Sequence, residues 1–157
     1  RRQRQMCIRD RYKLNGAKVL KTIFLPKFLE DFDYLINLCN FKEHTHALFT
    51  GAIKNKMGLL PDFEKLRMHH FNKEKFFQGL VDLNLIEFDL TIMDARKVLA
   101  EAQQRIYGGY ASMGFGFLAS SDEALIDKTA LKLFNEIYKK KINPEETILK
   151  YTNTSFQ

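Results

Sequence analysis

Between residues 42 and 55 the sequence reads KEHTHALFTGAIKN, which places Lys42, His44, His46, Thr50, Lys54 and Asn55 close together. Ammonium and imidazole groups at this density suit an anion. A lysine supplies a mobile point charge, and an imidazole can donate, accept or carry a proton. Thr50 and Gly51 read as the opening of a short helix over about residues 50–57, stopped at Gly58, with Thr50 as its cap. The free N–H groups at such a helix start would add to an anion site. Lys54 follows Thr50 by one helical turn and shares its face. Lys42, Thr50, Lys54 and Asn55 are therefore the candidate ligand contacts, and the expected ligand is a small phosphate or carboxylate.

Asp94 ends a second apolar run, and Ser121 and Asp122 follow a third. In open parallel sheets, ligands bind beyond the carboxyl ends of the strands. That rule would bring Asp94, Ser121 and Asp122 to the edge that carries Lys42 and His44. His44 is then the candidate acid/base and Asp94 its orienting partner or general base. Ser121 and Asp122 would be further ligand contacts, although Asp122 also reads as a helix N-cap. A metal is the competing chemistry, with His44, His46 and His70 as ligand candidates beside Asp94 and the metal itself unknown. The pair His69–His70 reads as structural.

The elements that must position these groups follow from the apolar pattern. KVLKTIFLPKFLEDF reads as a short helical approach punctuated by Pro26, and DYLINLCNF as a buried strand ending in the polar KEHTH. EKLRMHHFN reads as loop or a single turn, and a helix is expected over about residues 73–85. FDLTIMDA is a second strand with Asp94 at its end. RKVLAEAQQRIYGGYAS reads as irregular, and MGFGFLAS as a third strand in which Gly114 and Gly116 imply close approach of another backbone. SSDEALIDKTALKLFNEIYKKK is the clearest helix, capped by Ser121 or Asp122, with Leu125, Ala130, Leu133, Phe134 and Ile137 facing inward. Asn143 caps a last short helix that begins at Pro144. Strands alternating with helices predict an α/β fold with a largely parallel sheet flanked by helices, in one incomplete domain.

Composition narrows the class. The chain has 157 residues, an apolar content of 45% and a formal charge of +6. Much of that charge lies in RRQRQMCIRDR, where Arg1, Arg2, Arg4, Arg9 and Arg11 face only Asp10. The stretch resembles translated sequencing-adapter read-through, and residues 1–11 are expected to be a non-native or disordered basic tag. No nucleic-acid-binding motif follows it, so nucleic acid is not the expected partner. No apolar run reaches the length of a membrane span. With only Cys7 and Cys39, the chain cannot supply the ligands of a four-iron cluster, and a reducing, cytoplasmic compartment is expected.

The ordered set Lys42-x-His44, Thr50, Lys54–Asn55, Gly58, Pro61, Lys65 and His69 or His70 resembles the motif of the domain of unknown function 362 family. Asp94–Ala95 and the Ser120, Asp122, Asp127 segment are similar to two further blocks of that family, in the same order. The family's Gly-x-Gly-Pro stretch has no clear counterpart beyond Gly108–Gly109. The resemblance implies that residues 12–157 form the C-terminal two-thirds of such a domain. It also implies that a ferredoxin-like module with four-iron clusters could lie in a missing part or in a partner, which would make the chain part of an oxidoreductase. The alternative is a non-catalytic ligand-binding or scaffold domain.

Overall fold

The computed structural model describes residues 9–100 and 110–152. Two sheets form. In the smaller, β1 (Arg9–Lys13) and β2 (Thr22–Pro26) pair antiparallel. The larger has four strands in the order β4-β3-β5-β6, with β3 at Ile36–His44, β4 at Leu48–Thr50, β5 at Leu90–Ala100 and β6 at Tyr110–Ser120. The helices are α1 (Ala52–Asn55), continued by a 3₁₀ turn over Lys56–Leu59, then α2 (Asp62–His69), α3 (Lys73–Leu83) and α4 (Glu123–Tyr138).

The fold is α/β, but the sheet is not largely parallel. Among the described strands only β3 and β5 run parallel, while β4 pairs antiparallel with β3 and β6 antiparallel with β5. The hairpin turn after His44 reverses the chain at once into β4. Further along, β5 and β6 are joined by too few residues for a helical crossover, which a parallel pairing needs.

Strand alternation decides which face is buried. On β3, Asn37, Cys39 and Phe41 point into the core, while Ile36, Leu38 and Asn40 point out. Phe41 lies at the centre of an aromatic group, with ring centroids 5.5 Å from Phe49, 5.8 Å from Phe115 and 5.2 Å from Phe134. Helix α3 adds Phe76, Phe77, Leu80 and Leu83, and Asn72 caps it by accepting from the Lys75 N–H. Helix α4 buries Ala124, Ile126, Ala130, Leu131 and Phe134, and Asp122 caps it by accepting from the Leu125 N–H. Leu125 and Ile137, expected to face inward, are about half exposed at 47% and 50%.

Several local readings change. The segment read as a helical approach contains β2 and a 3₁₀ turn over Lys27–Asp31. The segment read as a loop before residue 73 is helix α2. Strand β5 continues past Asp94 to Ala100, across a bulge between Ala95 and Lys97. Gly114 meets that strand closely: a Cβ there would stand 1.8 Å from the Ala95 carbonyl oxygen. Gly116 has no such neighbour and is instead held at φ +96°. The glycine pair 108–109 lies outside the described residues, as do residues 1–8 of the basic segment. Arg9, Asp10 and Arg11 of that segment belong to β1.

Candidate functional site

The site begins at the turn between β3 and β4. Lys42 pairs with Thr50 and His44 with Leu48, leaving Thr45, His46 and Ala47 as the loop. The Nδ1 of His44 accepts from the backbone N–H of His46 at 3.1 Å and of Ala47 at 3.2 Å. Two donors on Nδ1 require a lone pair there, so the neutral ring carries its proton on Nε2. Burial, then the charges of Lys54, His46, Lys42 and His69, push the His44 pKa down to about 3. At neutral pH, His44 is a fixed, uncharged hydrogen-bond donor.

Helix α1 starts differently from the expectation. Thr50 ends β4, and Gly51 is the N-cap, with no side-chain cap bond. The first N–H groups are not free for a ligand. The Asp127 carboxylate, from α4, accepts from Ala52 N at 2.5 Å and from Ile53 N at 3.1 Å. A Cβ on residue 51 would lie 2.1 Å from Asp127 Oδ1, so this approach needs glycine. Asp127 is fully buried, and burial is the main cause pushing its pKa up to about 7.

Toward the end of α1 and into the 3₁₀ turn, side chains alternate between the core and an open cavity. Lys56 is 2% exposed and forms an ion pair with Glu123, with further bonds to Asn84 Oδ1 at 3.2 Å and the Ile86 carbonyl at 2.6 Å. Asn37 joins this buried group through Glu123 Oε1 at 2.9 Å. Asn55 donates its side-chain N–H groups to Asn37 Oδ1 at 2.8 Å and to the Leu38 carbonyl at 2.9 Å. The buried polar group thus fixes α1 from behind. Lys54 is turned the other way and lines a cavity of about 590 Å³.

Of the expected residues, that cavity brings together Lys42, His44, His46, Thr50, Lys54 and Asn55. Lys65 and His69, from α2, complete its polar lining, and no carboxylate side chain is among the lining residues. Burial, reinforced by the nearby Lys42 charge, lowers the Lys54 pKa to about 8. Burial, with Lys54, His46 and His70, also lowers that of His69. The Thr50 hydroxyl is buried without a hydrogen-bond partner, an uncommon state for a polar atom.

Three expected contacts are elsewhere. Asp94 sits mid-strand and bonds to Arg96 Nε at 3.1 Å and Nη2 at 2.8 Å. Those bonds hold its carboxyl at about 2, and it does not orient His44. Ser121 and Asp122 follow β6, which runs antiparallel to β5 and pairs Ser120 with Thr91. They therefore lie toward the start of β3 and β5, whereas His44 ends β3. Asp122 serves as the cap of α4, not as part of this cavity. His70 is the exposed C-cap of α2, and His69, one residue earlier, is the one facing His46, with ring centroids 6.5 Å apart.

Among the described residues, no group of three or more His, Cys, Asp or Glu side chains could hold a metal ion. Cys39 is buried, and burial pushes its thiol up to about 12, so it supplies no thiolate at neutral pH. Cys7 lies outside the described residues. No described helix is long and apolar enough to cross a membrane. Residues 5–132 match the family model described as "Domain of unknown function (DUF362)". No curated protein and no solved structure matches the chain.

Proposed function

We propose an anion-binding role for this chain, which belongs to the domain of unknown function 362 family: it holds a small phosphate- or carboxylate-bearing ligand between the β3–β4 turn and helices α1 and α2. The observation that carries this reading is a cavity of about 590 Å³ lined by Lys42, Lys54, Lys65 and three imidazoles, without a carboxylate. Lys42 and Lys54 supply charge, His44 donates from Nε2, and Thr50 offers a buried hydroxyl that an anion would satisfy. Lys65 already pairs with Asp62 at 3.2 Å, whereas the partly buried Lys54 stands beside Lys42 with no carboxylate in the cavity lining, a cost that a bound anion would offset. Asn55, already bonded to Asn37 and Leu38, positions α1. The fixed tautomer of His44 favours hydrogen-bond donation over proton shuttling, so binding is the primary role. An iron–sulfur-linked redox reaction, implied by the family resemblance, would add no residue of this chain to the site.

Titration calorimetry with inorganic phosphate tests the proposal. Charge-assisted hydrogen bonds contribute about 1.5–3 kcal/mol, so Lys54→Ala or Lys42→Ala should weaken binding about tenfold or more. The melting temperature should hardly move, because neither lysine has a carboxylate partner within the cavity. Equal phosphate affinity in wild type and both variants would overturn the reading.

A further inference from the structure

Beside the anion cavity lies a second one of about 310 Å³, whose lining includes Leu48, Phe71 and Phe76. His46 and His69 line both cavities. Ring centroids step from one to the other: His44 to His46 at 6.3 Å, His46 to His69 at 6.5 Å, and His69 to Phe76 at 5.7 Å with an interplanar angle of 26°. The second cavity adds the apolar side chains of Leu48, Phe71 and Phe76 to the imidazoles, with Thr45 and Lys73 completing its lining. A cavity of about 150 Å³ is enough to hold benzene, so the second space admits a six-membered ring.

The backbone supplies a second observation. Leu48, in the wall of this cavity, has φ +66°. Leu48 is the strand residue opposite His44, and glycine is the residue that adopts such a left-handed conformation without strain. Here the position carries a branched apolar side chain, which contributes wall surface that glycine could not. Strain of this type is found at ligand sites, where surrounding structure holds it in place.

We propose that the ligand is an anion joined to one flat aromatic ring: the phosphate or carboxylate sits among Lys42, Lys54 and His44, and the ring enters the space bounded by Leu48, Phe71 and Phe76, against the imidazoles of His46 and His69. This deepens the anion-binding reading and rests on it. Aromatic rings gain from stacking and from burial of their faces, and both gains are available in that space.

Phenyl phosphate, inorganic phosphate and phenol separate the two parts. Phenyl phosphate should bind at least about tenfold more tightly than inorganic phosphate, about 1.4 kcal/mol, and phenol should bind more weakly than phenyl phosphate. Phe71→Ala should remove that preference and leave the phosphate affinity unchanged. Leu48→Gly guards against a folding defect, since it relieves the positive φ; it should keep or raise the melting temperature while reducing the preference. Phosphate and phenyl phosphate binding within twofold of each other would overturn the aromatic subsite and leave the anion site standing. So would an equal loss of both ligands in Phe71→Ala. If neither phosphate nor phenyl phosphate binds wild type, both readings fall.

Discussion

Two side chains in the cavity report different properties. Thr50 has a buried hydroxyl without a partner, so in the free protein that group contributes an unsatisfied polar atom. Thr50→Val keeps the shape and removes the cost. Its melting temperature should hold or rise, while phosphate affinity falls about tenfold through loss of a bond to a charged ligand. A parallel fall in both would mean that the hydroxyl is structural. Lys54 titrates at about 8 against an ordinary 10.5, so the free folded protein loses its proton before the unfolded chain does. Between those values the unfolded chain binds more protons, and stability should rise with pH. Anion affinity should move oppositely, because a bound anion needs the ammonium form. Sulfate, whose charge is constant over this range, should bind less tightly as pH rises through about 8. In Lys54→Arg that decline should disappear, since a guanidinium stays charged. A flat sulfate profile in the wild type would remove Lys54 from the site.

At the scale of elements, α1 is held by a carboxylate from another helix. Its few residues could not form a stable helix alone, and Asp127 takes the place of a local cap. Gly51→Ala would drive a Cβ into that carboxylate and displace it from Ala52 and Ile53. The expected cost is about 2–3 kcal/mol in urea unfolding, from two lost hydrogen bonds and a disturbed buried charge. Asp127→Asn keeps one acceptor and should cost less than Asp127→Ala. Wild-type stability in Gly51→Ala would mean that the contact is slack. This arrangement also explains what was legible. The lysines and histidines of KEHTHALFTGAIKN, which the structure gathers around one cavity, stand close together in the sequence already, and β3, α3 and α4 could be read from their apolar runs. Asp127 could not be read as the cap of α1, because the bond spans 75 residues. Nor could α2, where the apolar signal is thin: only Glu64 and Met68 are buried. Lys65 and His69, separated by one turn of that helix, were visible only through the family motif.

At the scale of the molecule, the direction of the strands decides which groups meet. Parallel β3 and β5 alone would have put Asp94 nearer the site, but β5 runs on to Ala100 and β6 returns antiparallel, sending Ser121 and Asp122 to the far end. Apolar runs show neither strand length nor direction, which is why these three expected contacts failed to converge. The two sheets share no strand, but Leu20, Ile23 and Leu25 sit in the same core as the large sheet and the helices, and hydrogen bonds add to that packing. Asp82 of α3, 2% exposed, accepts from Lys18 N at 3.0 Å, Val19 N at 2.6 Å and Leu20 N at 2.7 Å, and from Gln78 Nε2 at 3.2 Å. Further polar ties include the Phe24 N–H, which reaches Glu64 Oε2 at 3.5 Å, and Arg9, which donates to the Leu59 carbonyl. Asp82→Ala strands three backbone donors and should cost about 3 kcal/mol. The loss should be local. Amide hydrogen exchange should speed up at residues 18–25, while the β3 and β5 amides keep most of their protection below the global unfolding limit. Phosphate affinity should be unchanged, since Asp82 does not line the anion cavity. Uniformly faster exchange across both sheets would instead make the small sheet part of a single cooperative unit, with Asp82 stabilising the whole rather than fastening one piece to another.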